Sequence, residues 1–186
     1  MLGQICKYGS AAGLVVAVPL FTMTVLDTWH PSGLAGMVFG YLIMLVALSA
    51  VFLAIKQHRD EACGGVIRFW PALALGLGVA LIASLFYVAA WEAALAISGK
   101  DFAAEYARAL VASQEASGVS GLQLARFRAE MEGFRQSYAS PLFRLPMTFT
   151  EIFPVGVLVS VVSAALLRNN RFLPARRSAD GARGSA

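Results

Sequence analysis

The sequence predicts an all-α integral membrane protein: four transmembrane helices, with an extracytoplasmic helical hairpin between spans 3 and 4. Three observations carry this expectation. Of 186 residues, 58% belong to the hydrophobic set and only 14% are charged, with a mean hydropathy of +0.67. Soluble domains carry about 25% charged residues, so too little charge is present to clothe a soluble surface. Several apolar runs reach the roughly 18 to 20 residues that cross a ~30 Å hydrocarbon core as a helix. Between the last two of them lies a polar stretch whose apolar residues recur at helical spacing.

The first span is Tyr8–Leu26, "YGSAAGLVVAVPLFTMTVL". It follows Lys7 like a signal peptide, but its long apolar core and lack of a cleavage site favour a retained anchor. The second is Ala35–Ile55, reached through "DTWHPSG". The third covers 70–97 and opens on Trp-Pro, with Pro71 suited to a first helical turn and Trp70 to the interface. The fourth covers 147–167. Residues 1–168 thus form a single four-span membrane domain, and 169–186 form a basic tail without apolar periodicity, expected to be disordered.

Orientation follows from Lys and Arg. Segments 1–7, 56–69 and 168–186 carry one, three and five basic residues, with three acids among them. Segments 27–34 and 98–146 together carry six basic residues balanced by six acids. The positive-inside rule therefore places both termini in the cytoplasm, with 98–146 outside. Within that outer segment, Phe102, Tyr106, Ala109, Leu110 and Ser113 share one stripe, and Leu124, Phe127, Met131, Phe134 and Tyr138 another. "SGVSG" turns between them. The hairpin, about 101–140, either caps the four-helix bundle or offers its stripe to an extracytoplasmic protein partner.

Four stretches resemble a known family: "KYGSAAG", "IKQHRDEACGGVIRFWPAL", "LIASLFYVAAWE" and "FTEIFPVGVLVSVVSAALLR". They are similar to an uncharacterised bacterial family, domain-of-unknown-function family 4199. The most specific part surrounds Lys56, Arg59, Asp60, Gly64, Gly65 and Phe69, and the likeness runs to Arg168. The resemblance implies a four-span inner-membrane protein and brings no activity and no catalytic residues with it.

The acids within spans are Glu92 and Glu151. Counting back from Arg168 at about 1.5 Å per residue, Glu151 lies roughly 25 Å along the helix, about one turn inside the outer boundary. Glu92, 22 residues after Trp70, belongs at a similar level, as does Asp27. Two readings are open. Glu92, Glu151 and Asp27 converge on a proton or cation site, in a small transporter or channel component; or each acid reaches headgroup water or pairs with an arginine such as Arg144, two turns before Glu151. Helical phase adds a constraint: Gly156, Ser160 and Ala164 form a small-residue stripe, and Glu151 lies about 140° from Gly156 at 100° per residue. The stripe and the acid cannot face one neighbour.

Close helix approach is also expected at Gly9 and Gly13, and at Gly36 and Gly40, within the chain or in a homo-oligomer that also uses Gly156 and Ser160. Lys56, Arg59 and Arg68 are candidate contacts for a lipid headgroup, against a salt-bridged turn. Catalysis finds little support, because the two histidines, His30 and His58, fall on opposite sides of the membrane. Asp27 and His30, three apart beside Trp29, would bind a metal only together with Glu92 or Glu151. No catalytic residue, metal site, cofactor or nucleic-acid partner is expected, and Cys6 and Cys63 are expected as free thiols. The leading expectation is a non-enzymatic membrane protein acting through protein or lipid contacts.

Overall fold

The computed structural model describes residues 1–26 and 33–174 of the protein. Among the described residues there are six helices and no strands: α1 (Leu2–Leu26), α2 (Gly33–Ala62), α3 (Phe69–Ser98), α4 (Phe102–Ala116), α5 (Gly121–Tyr138) and α6 (Pro141–Leu167). Four of them, α1, α2, α3 and α6, are long and apolar enough to cross a membrane. The remaining two form the hairpin expected between the third and fourth spans.

The helices overrun the expected boundaries where polar residues find helical partners. α2 continues seven residues past Ile55, to Ala62, because Lys56 donates to Asp60 at 2.6 Å and Gln57 to Glu61 at 2.7 Å, both one turn ahead. The turn that follows uses Gly64 and Gly65 at φ of 61° and 87°, a region that L side chains rarely adopt. α6 starts at Pro141, in the first turn where a proline forfeits no hydrogen bond, and runs on through Pro146 and Pro154.

α3 is the central element. Its buried residues, from Ala72 to Ala94, wrap around much of its circumference, and it packs against α1 and α6 most extensively and against α2. Small residues set these approaches. A Cβ on Gly9 or Gly13 would stand 2.7 Å from Ile82 Cβ or 2.5 Å from Phe86 Cβ. On the opposite side, Gly76 faces Ser160 and Gly156 faces Ala80. The stripe of Gly156, Ser160 and Ala164 is therefore buried against α3, and the close approaches at Gly9, Gly13, Gly156 and Ser160 are made within the chain. Buried hydroxyls in these seams donate to carbonyls one turn back, Ser84 to Ala80 at 2.8 Å and Ser160 to Gly156 at 2.7 Å, so they add no unsatisfied donor. Leu48, Val51, Ile55, Leu75 and Ile152 fill the core between α2, α3 and α6.

At the end opposite the hairpin, Arg59 is completely buried. Its Nε donates to Asp60 Oδ1 at 2.8 Å, Nη1 to the Phe172 carbonyl at 2.9 Å, and Nη2 to the Leu173 carbonyl. Phe172 meets Phe52 edge-on at 6.4 Å. The chain just past α6, expected to belong to a disordered tail, is held against α2 as far as Leu173. Residues 175–186 of that tail lie outside the described residues.

Candidate functional site

Two acids of the long helices, one in α3 and one in α6, lie toward the hairpin end. They have different partners. Glu92, near the end of α3, is gripped by Arg144 from the first turns of α6. Arg144 Nε donates to Oε1 at 2.6 Å and Nη2 to Oε2 at 2.5 Å, so the guanidinium fork spans both carboxylate oxygens. The third nitrogen, Nη1, donates to the Tyr138 carbonyl at 3.2 Å, and the guanidinium lies 5.7 Å from the Tyr138 ring centre. One arginine thus fastens α3, the end of α5 and α6 together.

Glu151 takes its hydrogen bond from Tyr87, whose hydroxyl donates to Oε2 at 3.0 Å. Sequence reasoning aligned Arg144 with Glu151 along one helix face, and α6 does run unbroken through Pro146. The guanidinium nevertheless turns sideways to Glu92 on α3, leaving Glu151 without an ion pair among the described residues. Glu92 and Glu151 are not brought together as a carboxylate pair. Asp27 and His30 lie outside the described residues.

Above the acids stands an aromatic array contributed by α3, α4 and α5. Trp91 Nε1 donates to the Tyr138 hydroxyl at 2.8 Å. Phe102 meets Trp91 edge-on at 4.7 Å and continues to Tyr106 at 6.2 Å, while Phe134 lies 5.5 Å from Tyr138. Burial pushes the Tyr138 phenol above its ordinary range, and the Trp91 hydrogen bond acts in the opposite direction. The two hairpin stripes expected from sequence supply Phe102, Tyr106, Met131, Phe134 and Tyr138 to this array. The face of α4 that is fully covered is the adjacent one, Ala103 and Ala107, because alanines let the helix sit closer than its aromatic rings would. Those rings, Phe102 and Tyr106, are instead turned into open space.

That space is a cavity of about 720 Å³. Its walls come from all six helices: Val16 and Met23 of α1, Gly40 and Met44 of α2, Tyr87 and Trp91 of α3, the hairpin rings, and Met147 and Glu151 of α6. Among the described residues Glu151 is the one charged residue lining it, and the residue is exposed. Gly36 and Gly40, read from sequence as helix-contact positions, line the cavity, and nothing stands within 4 Å of a Cβ placed on Gly40.

A second, polar cleft of about 590 Å³ lies beyond Phe102 and Tyr138, which border both spaces. It is lined by Glu92, Arg144, Asp101, Glu132 and Arg135, among others. Its charges are matched: Arg135 Nε donates to Asp101 at 3.0 Å and Nη1 to Glu132 at 3.1 Å. Asp101 also accepts from the Ala104 N–H at 3.0 Å as the N-cap of α4. That backbone bond, and then Arg135, hold its carboxyl below the usual aspartate range.

The remaining sequence candidates lie at the opposite end. Lys56 pairs with Asp60, Arg68 is exposed ahead of α3, and Arg59 is buried with its guanidinium taken by protein acceptors. Sequence reasoning overlooked Tyr87 and Trp91. The available signal was their spacing of four in "FYVAAWE", next to an intramembrane acid and near a boundary where tyrosine and tryptophan concentrate.

No curated protein and no solved structure matches the chain. A family model does: residues 7–169, from just before the expected first span to just past α6, match the family described as "Protein of unknown function (DUF4199)", and the chain belongs to that family.

Proposed function

We propose that this chain is a non-enzymatic, multi-pass protein of the bacterial cytoplasmic membrane that holds a lipophilic molecule between its spans and its hairpin. The observation that carries the reading is the 720 Å³ cavity. Its size falls within the roughly 300 to 1,000 Å³ of small-molecule sites, and its lining has their character: mostly apolar and aromatic, with few polar groups. Its four methionines, Met23, Met44, Met131 and Met147, are unbranched and polarizable, and suit a ligand of irregular shape. The distribution of Lys and Arg supports both termini in the cytoplasm and the hairpin outside. In that orientation the cavity lies in the outer half of the membrane, where an amphiphile can enter from the lipid.

The transporter reading, in which Glu92 and Glu151 share a proton or cation, is less well supported. Both Glu92 oxygens are held by Arg144, so this acid already has its counter-charge.

The test uses Trp91 as an internal reporter. In the full chain carrying Trp29→Phe and Trp70→Phe, reconstituted in nanodiscs, a brominated lipophile is expected to quench Trp91 emission saturably. Gly40→Phe projects a ring into the cavity and is expected to abolish that saturable component. Quenching that rises without saturation, equally in both proteins, refutes the reading.

A further inference from the structure

We propose that the cavity takes a lipophilic organic cation, with the charge held by Glu151 and the apolar body by the methionines and rings of the hairpin end. The proposal rests on the cavity being a ligand site and names the class of ligand that fits it.

Charge complementarity carries the choice. Among the described residues the lining holds one carboxylate and neither Lys nor Arg. Arg144, the nearest basic residue along α6, is committed to Glu92 and lines the polar cleft instead. A ligand bearing a phosphate or carboxylate would meet Glu151 with no Lys or Arg among the described lining residues to compensate, and like charges in a low-dielectric site repel strongly. A neutral apolar ligand would remove water from Glu151 and leave the charge unmatched, which is costly. A cation with an apolar body meets neither penalty.

The surroundings of Glu151 fit a cation in a second way. Tyr87 donates to Oε2 and is the acid's hydrogen-bond partner among the described residues, leaving acceptor capacity on a carboxylate that can take several donors. The rings of Tyr87, Trp91, Phe102, Tyr106 and Phe134 border the same space. Aromatic faces attract cations by about 0.5 to 2 kcal/mol each, most when water is excluded. Quaternary ammonium and phosphonium groups, which shed water easily and cannot form strong hydrogen bonds, are suited to a site made of rings and one acid.

Two brominated probes with the same alkyl chain, one ending in trimethylammonium and one in an alcohol, decide the matter through quenching of Trp91 in the full chain. Nanodiscs of zwitterionic lipid keep headgroup charge out of the comparison. The expected result is saturable binding of both, tighter for the cation. Glu151→Gln is expected to weaken the cation roughly ten- to a hundredfold, about 1.4 to 2.8 kcal/mol, and to leave the alcohol bound at least as tightly. Retained alcohol binding also shows that the variant is folded. Glu132→Gln, which removes one negative charge from the polar cleft, is expected to change neither. A cation bound no tighter than the alcohol by the parent protein overturns the proposal even if Glu151→Gln fails to fold. The cavity reading stands in that case, because the alcohol still saturates. If neither probe saturates, the cavity reading falls together with the proposal.

Discussion

Arg144→Met tests the clamp between α3 and α6. The substitution keeps most of the side-chain length and removes three donors: two to Glu92 and one to the Tyr138 carbonyl. Hydrogen bonds to charged groups contribute about 1.5 to 3 kcal/mol each where water is scarce, and orphaning one partner of a fully buried ion pair costs about 3 to 5 kcal/mol. The pair is not fully buried: Arg144 and Glu92 side chains are 16% and 27% exposed. Exposed pairs give only about 0.2 to 1 kcal/mol, so the intermediate burial places the single substitution at about 2 to 3 kcal/mol. Glu92→Gln alone leaves the guanidinium facing an amide and is expected to cost about 1 to 2 kcal/mol on the same grounds. Combining the two removes both charges, so the double variant is expected to be clearly less destabilised than the sum of the singles, with a coupling of about 1.5 to 2 kcal/mol. Unfolding by sodium dodecyl sulfate in mixed micelles, followed by circular dichroism, measures all four proteins. Additivity within about 0.5 kcal/mol would refute the clamp as an energetic unit.

Four further outcomes follow from other parts of the molecule. Gly13→Val puts a Cβ 2.5 Å from Phe86 Cβ and is expected to destabilise the α1–α3 seam by about 1 to 3 kcal/mol or more. Gly133→Ala meets nothing within 4 Å in α5 and is expected to gain about 0.5 to 1 kcal/mol in the same unfolding assay. Because the folded state holds Asp101 below its ordinary value, its contribution to α4 is present above the unfolded pKa and is lost as pH falls through the folded one. The protection of amides 103–106, measured relative to their intrinsic exchange rates, is therefore expected to fall in acid and to lose that dependence in Asp101→Asn. Finally, Cys6 is exposed near the start of α1; an impermeant maleimide is expected to miss it in intact cells and to label a cysteine placed at Gly118 in the hairpin turn. The opposite pattern would reverse the proposed orientation.

The elements were legible from sequence because each is encoded locally. An apolar run of span length or a stripe at spacings of three and four states a helix by itself, and all four spans and both hairpin helices appear where those signals lie. The phase argument does not hold: the small stripe packs against α3, and Glu151, while lining the cavity, also takes its hydrogen bond from Tyr87 of α3, because two long side chains reach across the angle that separates them. Partner choice was not legible. Arg144 and Glu151 share one face of α6, yet the guanidinium leaves that line for Glu92, 52 residues away. This depends on the lateral distance between α3 and α6, which no helical wheel contains. The same is true of Arg59, whose charged neighbours in "KQHRDEACGG" read as a salt-bridged turn or a lipid-headgroup contact. Its burial depends on a segment more than a hundred residues downstream folding back over it. The cavity is the furthest from sequence, being the space left where six helices do not quite meet.

The clasp at Arg59 bears on how the chain is made. The arginine leaves the ribosome long before its acceptors do, because Phe172 and Leu173 follow the last membrane-crossing helix. Until they arrive, the guanidinium lacks two of its three protein acceptors and is better accommodated in headgroup water than in the packed interior. Final closure around Arg59 therefore waits for Phe172 and Leu173. A nascent chain cut short before Phe172 would carry an unmet charge at that position.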